Sequence, residues 1–432
     1  MKKVLIITYY WPPGGGSGVR RWLNFSNLFH DQGWQPVIFR PLNASYPSVD
    51  ETLGKTIHPQ TEIIGSTIFE PFKLYSKFIG AKGKAGNPGV LFTSDKPGLK
   101  EKLSVWVRSN VFIPDARMFW IRPAVKALKS YLQNNHVDLI ISTGPPHTTH
   151  MIAMKVAGKF SIPWIADFRD PWTKIDFFHK LSLSKFALNK HLNLEKKVLT
   201  KSQLQTTVSW SWAADFKALG ATNIKVVTNG FDSTNACSSP DELDNHFTIT
   251  HLGSMNDDRN HPEFWKAIRE LMNENPEFAK SVKIKLFGEI VSSVKTEIAK
   301  NELEAVCEHV AFIPHPDAMK AIATSRVLYL PLNNTPNVDG IIPGKIFEYL
   351  AAARPILAIG PETGDSAKIL SLANNGIICN FGDFESIKLA LISLFSDYQN
   401  SNDRVNNSSI EQFSRAELAK QMVGYMNELV AD

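Results

Sequence analysis

With 432 residues, 43% hydrophobic and 21% charged, the chain exceeds what one hydrophobic core normally organises and predicts two globular domains. No stretch approaches the roughly 20 apolar residues of a membrane-spanning helix, and Met1-Lys2-Lys3 leads into a short strand-like run rather than a signal-peptide core, so a cytoplasmic protein is expected. The net charge of +5 divides unevenly: up to Asp232 there are 30 Lys and Arg against 15 Asp and Glu, and after it 17 against 27, which gives the first half a positive field.

In the first half, apolar runs at 4–8, 36–40, 137–142, 164–167 and 205–208 alternate with helix-like segments, the pattern of a parallel α/β sheet. The first run is followed by Gly14-Gly15-Gly16-Ser17-Gly18-Val19-Arg20-Arg21, which opens a helix carrying Val19, Trp22, Leu23 and Phe29 on one face. A glycine-rich loop entering a helix whose first turn is cationic suits a phosphate or carboxylate. It does not suit a dinucleotide: Val19 stands where the third glycine of G-x-G-x-x-G belongs, and the second strand ends in Arg40 rather than an acid. A plain turn with two surface arginines is the alternative.

Between 68 and 79, Ile68, Phe72, Tyr75 and Ile79 have helical spacing beside Lys73 and Lys77. After a Gly/Pro/Lys-rich loop come Trp106, Arg108, Phe112, Arg117, Trp120 and Arg122. Together they read either as a face for an anionic leaflet or as core aromatics flanked by solvated cations. Further on, Ser142-Thr143-Gly144-Pro145-Pro146-His147 and Ala166-Asp167-Phe168-Arg169-Asp170-Pro171-Trp172 follow apolar strands. Loops at carboxyl ends of parallel strands border the binding crevice, which makes His147, Asp167, Arg169 and Asp170 candidates. The rival readings are a structural loop histidine and a salt-bridged structural loop.

A boundary is expected near Thr228-Asn229-Gly230-Phe231-Asp232, before polar residues 233–245. A second strand series follows at 249–252, 284–287, 327–330 and 355–359, and residues 409–430 read as an amphipathic helix with Phe413, Leu418, Met422, Tyr425 and Leu429. The expected organisation is one α/β domain over 1–232, a second over 233–408, and a helix over 409–432 packing back toward the first. Cys237, Cys307 and Cys379 are too few and too scattered for a disulfide framework or a zinc spacing. In the second half, Pro343-Gly344-Lys345-Ile346-Phe347-Glu348 opens a helix, and Lys345 and Glu348 share a face. A cation beside free helix amides can neutralise a pyrophosphate, and a carboxylate one turn on can accept from ribose hydroxyls. An ordinary surface Lys–Glu pair would look the same.

These motifs, in this order, resemble the retaining glycosyltransferases of the GT-B fold, family 4 (group 1). The matching stretches are Gly14 to Arg20, Glu195-Lys196-Lys197-Val198-Leu199 through Val208-Ser209, Asn229-Gly230-Phe231-Asp232, Leu252-Gly253 to Arg259, and the helix over 344–352 with Glu348 as ribose acceptor. The resemblance implies two Rossmann-like, doubly wound parallel-sheet domains facing each other across a cleft and closing about the 229–232 hinge. It implies transfer with retention from a nucleotide-sugar, a UDP-sugar favoured, to a glycan or lipid-linked acceptor of polysaccharide or lipopolysaccharide synthesis. The acceptor would be met at the inner membrane face, with no metal, no other cofactor and no nucleic acid. Arg259, Lys345, His147 and Asp167 are the expected catalytic residues. Gly15, Gly16, Arg20, Ser254, Arg259, Gly340, Ile341, Ile342, Gly344, Lys345 and Glu348 are expected around the nucleotide-sugar, and Gly18, Arg21, Arg169 and Asp170 around the acceptor and sugar. Nine of the ten tryptophans precede residue 233 and are expected to stack on sugar faces.

The sequence departs from the family in two places. Many members carry a glutamate where Gly340 stands here, next to Asp339, so either backbone amides over 340–342 would meet the sugar hydroxyls or Asp339 would substitute for the glutamate. An arginine often follows the glycine at 253, where this chain has Ser254. Two other activities share the fold: a nucleotide-sugar 2-epimerase, and a non-catalytic nucleotide-binding assembly protein.

Overall fold

A computed structural model describes residues 1–70, 99–175, 178, 181–232, 242–402 and 409–431. The chain forms two compact units, one made of Met1–Thr228 with Leu418–Asp432 and the other of Asn229–Glu417. Each is built on its own parallel sheet.

In the first unit, β1 (Lys2–Ile7), β2 (Trp34–Pro41), β3 (Glu62–Ser66), β4 (Leu139–Gly144), β5 (Trp164–Phe168), β6 (Leu204–Thr207) and β7 (Ile224–Val226) lie in the order β3-β2-β1-β4-β5-β6-β7. Val4, Leu5, Ile6 and Ile7 are all fully buried, because helices cover both faces of a parallel sheet and leave no polar side to alternate with. Register sets Ile6 beside Ile38 on one flank and Ile141 on the other. The helices are α1 (Ser17–His30), α2 (Leu99–Val111), α3 (Ile121–Leu132), α4 (Thr148–Phe160), α5 (Lys185–Lys201) and α6 (Trp210–Ala218). Leu418, Ala419, Met422, Val423 and Met426 join the core formed by β1, α1 and their neighbours. The chain reverses its strand order between β1 and β4, so the loops after these two strands flank the switch point where open α/β sheets bind ligands.

The second unit repeats the plan with β8 (Phe247–Leu252), β9 (Val282–Phe287), β10 (Cys307–Val310), β11 (Val327–Pro331), β12 (Ile356–Ile359) and β13 (Ile377–Cys379), ordered β10-β9-β8-β11-β12-β13. Its helices are α7 (Pro262–Glu274), α8 (Pro276–Ser281), α9 (Ser292–Lys300), α10 (His315–Thr324), α11 (Lys345–Ala351), α12 (Asp365–Ala373) and α13 (Phe384–Gln399). The switch point lies between β8 and β11.

Several expectations need correction. Strands β3, β7, β10 and β13 were not anticipated; they lie toward the sheet edges and are only partly buried, which erases the continuous apolar run. The last helix, α14, spans Arg415–Ala431 rather than starting at 409, because Ser414 caps it by accepting from the Glu417 amide (3.2 Å) after a 3-10 turn over Glu411–Phe413. Most of the nine tryptophans are core residues: Trp11, Trp22, Trp34, Trp120, Trp164, Trp172 and Trp212 are buried, and Trp120 stacks on Phe39 at 5.6 Å, while Trp210 is half-buried and Trp106 exposed. Rings closed in this way cannot stack on a sugar. Of the helical pattern expected over 68–79, residues 71–79 fall outside the described residues, as does Cys237. Among the described residues, no helix is long and apolar enough to cross a membrane.

Candidate functional site

The second unit's switch point is built by backbone conformation first. Gly253, directly after β8, has φ +113°, a region that glycine adopts without strain. A β-carbon there would lie 2.6 Å from Lys345 Nζ, so the missing side chain makes the space the ammonium occupies. Gly288, at the same level after β9, has φ +135°, and a β-carbon on it would strike the Gly253 backbone at 2.5 Å. The two glycine turns are back to back, tied by the Gly253 amide to Phe287 O (2.7 Å).

Lys345 begins α11, whose seven residues make a short helix with no side-chain cap at Gly344. Its Nζ is buried and has no hydrogen-bond partner among the described residues. Burial, then the neighbouring Arg259, push it down to about 7 from the usual lysine range, while Glu348 pulls the other way. An unpaired buried cation is expensive and calls for an anion. Arg259 reaches the same turn, donating to Ser254 O at 2.9 Å. His251 accompanies them from inside β8: its Nδ1 meets Tyr329 O at 3.0 Å, which leaves Nε2 as an acceptor with no partner among the described residues, and burial, then Lys345, hold the ring neutral. Tyr349 fixes the strand end by accepting from the Leu252 amide at 2.8 Å. Ser254, Arg259, Lys345 and Glu348 thus lie about one turn. Gly340 and Ile341 are placed differently: their amides donate to Asn337 O and Val338 O within a 3-10 turn, and Ile341 O accepts from Ser366 Oγ, so they are engaged with their own chain.

In the first unit, the glycine loop is also partly self-satisfied. The Gly14 amide donates to Trp11 O and the Gly15 amide to Ser48 O, both at 2.9 Å, and Gly16 serves as N-cap of α1 with φ +97°. Arg20 pairs with Asp50 at 3.7 Å, both partly exposed. Arg21 turns into the core, donating to Thr228 O (2.7 Å) and Val227 O (2.9 Å) and facing Asp167 Oδ1 at 3.4 Å.

Asp167 was expected on a loop but lies within β5, fully buried. Trp22 Nε1, Thr143 Oγ1 and Thr206 Oγ1 donate to it at 3.0, 2.8 and 2.9 Å. A carboxylate so surrounded joins four elements and has no open lone pair aimed at a substrate. His147 is buried too, stacked on Trp172 at 4.5 Å, with burial holding its imidazole well below the ordinary range. Its Nδ1 has no partner among the described residues and would sit 3.0 Å from a β-carbon on Gly144, as His150 Nε2 would at 2.6 Å. Arg169 does occupy the switch point. It donates to Pro145 O, lies 5.8 Å from the Tyr10 ring, and passes so close to Gly18 that a β-carbon there would overlap Nη1 at 1.8 Å. Asp170 follows it on the loop, half-buried.

Sequence reasoning missed Gly288 and His251. The first had a usable signal, a glycine ending an apolar strand; the second had none, since a histidine inside a strand shows no partner in sequence.

Two Rossmann-like units with parallel sheets define the fold as GT-B. The chain is similar over 100% of its length to 99% of a glycosyltransferase from Rickettsia africae, with TM-score 0.62 at 13% identity. It matches sucrose-phosphate synthase from Thermosynechococcus elongatus with 100% of both chains covered, TM-score 0.60 and 13% identity. It also matches S. aureus TarM in complex with fondaparinux, alpha-GlcNAc-glycerol and UDP over 99% of this chain and 100% of that one, with TM-score 0.58 and 12% identity. At such identities the likeness is one of fold. No protein-family model matches the sequence, and no curated protein matches it.

Proposed function

We propose that this protein is a glycosyltransferase that moves a sugar from a nucleotide-sugar, a UDP-sugar favoured, to a glycan or lipid-linked acceptor. The observation that carries the reading is the buried, unpartnered Lys345 ammonium seated against the Gly253 turn with Arg259 beside it. That arrangement is poised for the diphosphate of a donor, and the UDP present in the TarM structure supports the choice of ligand. Glu348 faces the ribose hydroxyls in this reading.

During transfer, the bond between the anomeric carbon and the diphosphate oxygen breaks, and negative charge gathers on that oxygen. Cations already in place stabilise it without reorganising, which is where most of the acceleration arises. The acceptor oxygen bonds to the anomeric carbon from the side the nucleotide leaves, so configuration is retained, and its proton passes to the departing diphosphate. No protein base and no metal are assigned to this step. The first unit receives the acceptor, a precursor of cell-surface polysaccharide or lipopolysaccharide met at the inner membrane face.

Thermal-shift and calorimetric titration with UDP, GDP, ADP and dTDP tests the reading. One of them should stabilise the wild-type protein and none should stabilise Lys345→Ala. Equal stabilisation of both would remove the assignment. Donor mixed with protein in the absence of acceptor should yield no isomerised sugar; an isomerised product would make the protein an epimerase.

A further inference from the structure

His30 closes α1, and its imidazole stacks on that of His58, with ring centroids 3.8 Å apart and planes 23° from parallel. His30 is buried, its Nε2 sharing a hydrogen bond with Thr61 Oγ1 at 3.0 Å and its Nδ1 without a partner among the described residues. His58 uses its own Nδ1 as an acceptor for the Gln60 amide at 3.3 Å. This arrangement suits neutral rings. A proton on His58 Nδ1 ends the bond from Gln60, and a second proton on His30 leaves a buried N–H with nothing to receive it. Charge on both rings would also set two cations face to face. Among the described residues, His58 from the turn over 58–61 and Asp31 beside the end of α1 are the titratable groups acting on His30. Glu62, which opens β3 beyond that turn, is occupied by Tyr131 Oη at 2.9 Å. Burial, then His58, push the His30 imidazole below 6.5, and Asp31 only partly opposes them.

The stack stands at one end of a segment whose other end braces the glycine loop. Asn27, on α1 three residues before His30, accepts from the His58 amide (2.9 Å) and donates to Thr56 O (2.6 Å). Upstream, the 3-10 turn over Glu51–Thr56 is capped by Asp50, which accepts from the Thr52 amide at 3.1 Å. The Asp50 amide donates to Pro13 O at 2.8 Å, Ser48 O accepts from the Gly15 amide, and Val49 bridges to Gly14.

We propose that the stacked pair His30 and His58 is an acid-sensitive latch: protonation of either ring frees residues 51–61 from α1 and loosens the brace that 48–50 give the glycine loop. Imidazole is the side chain that changes charge in this pH range. Once released, the rings return to the ordinary value of 6.5. The open form therefore binds more protons than the closed form as pH falls below that value, and closure weakens by up to about tenfold per pH unit for each proton taken up. At neutral pH and above, both rings are neutral and the latch holds.

Hydrogen exchange of the full chain, read by mass spectrometry at pH 7.5, 6.5 and 5.5 and corrected for the intrinsic pH dependence of amide chemistry, tests the latch. Between the highest and lowest pH, amides over 51–61 and those of Gly14 and Gly15 should lose protection by about tenfold or more, while those of β4 hold. The chain carrying both His30→Phe and His58→Phe keeps two rings to stack and has no nitrogen to titrate, so it should show no acid loss at either place. Should circular dichroism find that chain unfolded, His58→Gln alone replaces it; this removes the facing ring and should at least halve the acid loss. Equal protection of 51–61 at all three pH values, the same acid loss in the variant, or a loss that β4 shares in full would overturn the latch. Acid loss over 51–61 with Gly14 and Gly15 still protected would overturn its coupling to the glycine loop. The measurement uses no ligand, so its outcome is independent of the glycosyltransferase reading.

Discussion

A β-carbon on Gly253 would come within 2.6 Å of the Lys345 ammonium. The glycine and the lysine are 92 positions apart, and the first creates the volume the second fills. Gly253→Ala therefore both strains a backbone at φ +113° and displaces the cation. Strain of this kind costs about 1–3 kcal/mol, so denaturant titration should show a loss of that size. Nucleoside diphosphate affinity should fall by at least tenfold; a variant that binds as tightly as wild type would show that the packing does not position the lysine.

Lys345 also makes binding depend on pH. Its ammonium is held at about 7 in the unliganded protein, and a bound diphosphate raises it again by opposite charge. Binding then takes up a proton once the pH exceeds 7, so affinity should decline above neutrality by a factor approaching ten per pH unit. A flat affinity from pH 6 to 9 would contradict this.

The same lysine burdens the unliganded fold. The unfolded chain keeps its lysine protonated up to the ordinary range, whereas the folded chain releases the proton near 7. Between these values the unfolded state holds more protons, so this group makes stability rise with pH over that window. Lys345→Met should accordingly raise the melting temperature at pH 7 while abolishing diphosphate binding. A lowered melting temperature would mean that the ammonium is not an uncompensated charge.

Asp167 and Arg21 predict the opposite behaviour from a catalytic pair. Both are buried, and Asp167 is also bound by Trp22, Thr143 and Thr206. Breaking a buried pair from one side costs roughly 3–5 kcal/mol, so Asp167→Asn and Arg21→Met should each lower stability by that order in urea titration. Full stability with lost turnover would restore a direct chemical role to Asp167.

Gly18→Ala places a methyl group on Arg169 Nη1. The guanidinium must leave the Tyr10 ring and the Pro145 carbonyl, so urea titration should show a loss of stability while UDP affinity holds. Unchanged stability would show that Arg169 can leave this position without cost.

Much of this was readable from the chain. Continuous apolar runs such as Val4-Leu5-Ile6-Ile7 announce strands covered on both faces, because a residue's burial period is a local property of the backbone. The glycine turn before Lys345 and the Lys345–Glu348 spacing were equally visible, since three positions on a helix bring side chains to one face. Edge strands such as β10, half-exposed and only four residues long, left too faint a pattern to register.

What the sequence determined by itself was the alternation of strand and helix, the division into two halves, and the placing of glycine and cation at particular strand ends. These follow from local periodicity and backbone freedom. The tertiary structure alone decided what each polar group faces: that Arg21 spends its charge on Val227 and Thr228, that Gly14 and Gly15 give their amides to Trp11 and Ser48, and that Lys345 is left alone against Gly253. A side chain's partner is chosen by folding across tens to hundreds of residues, and whether a cation is free to meet a ligand depends on that choice rather than on its neighbours in the chain.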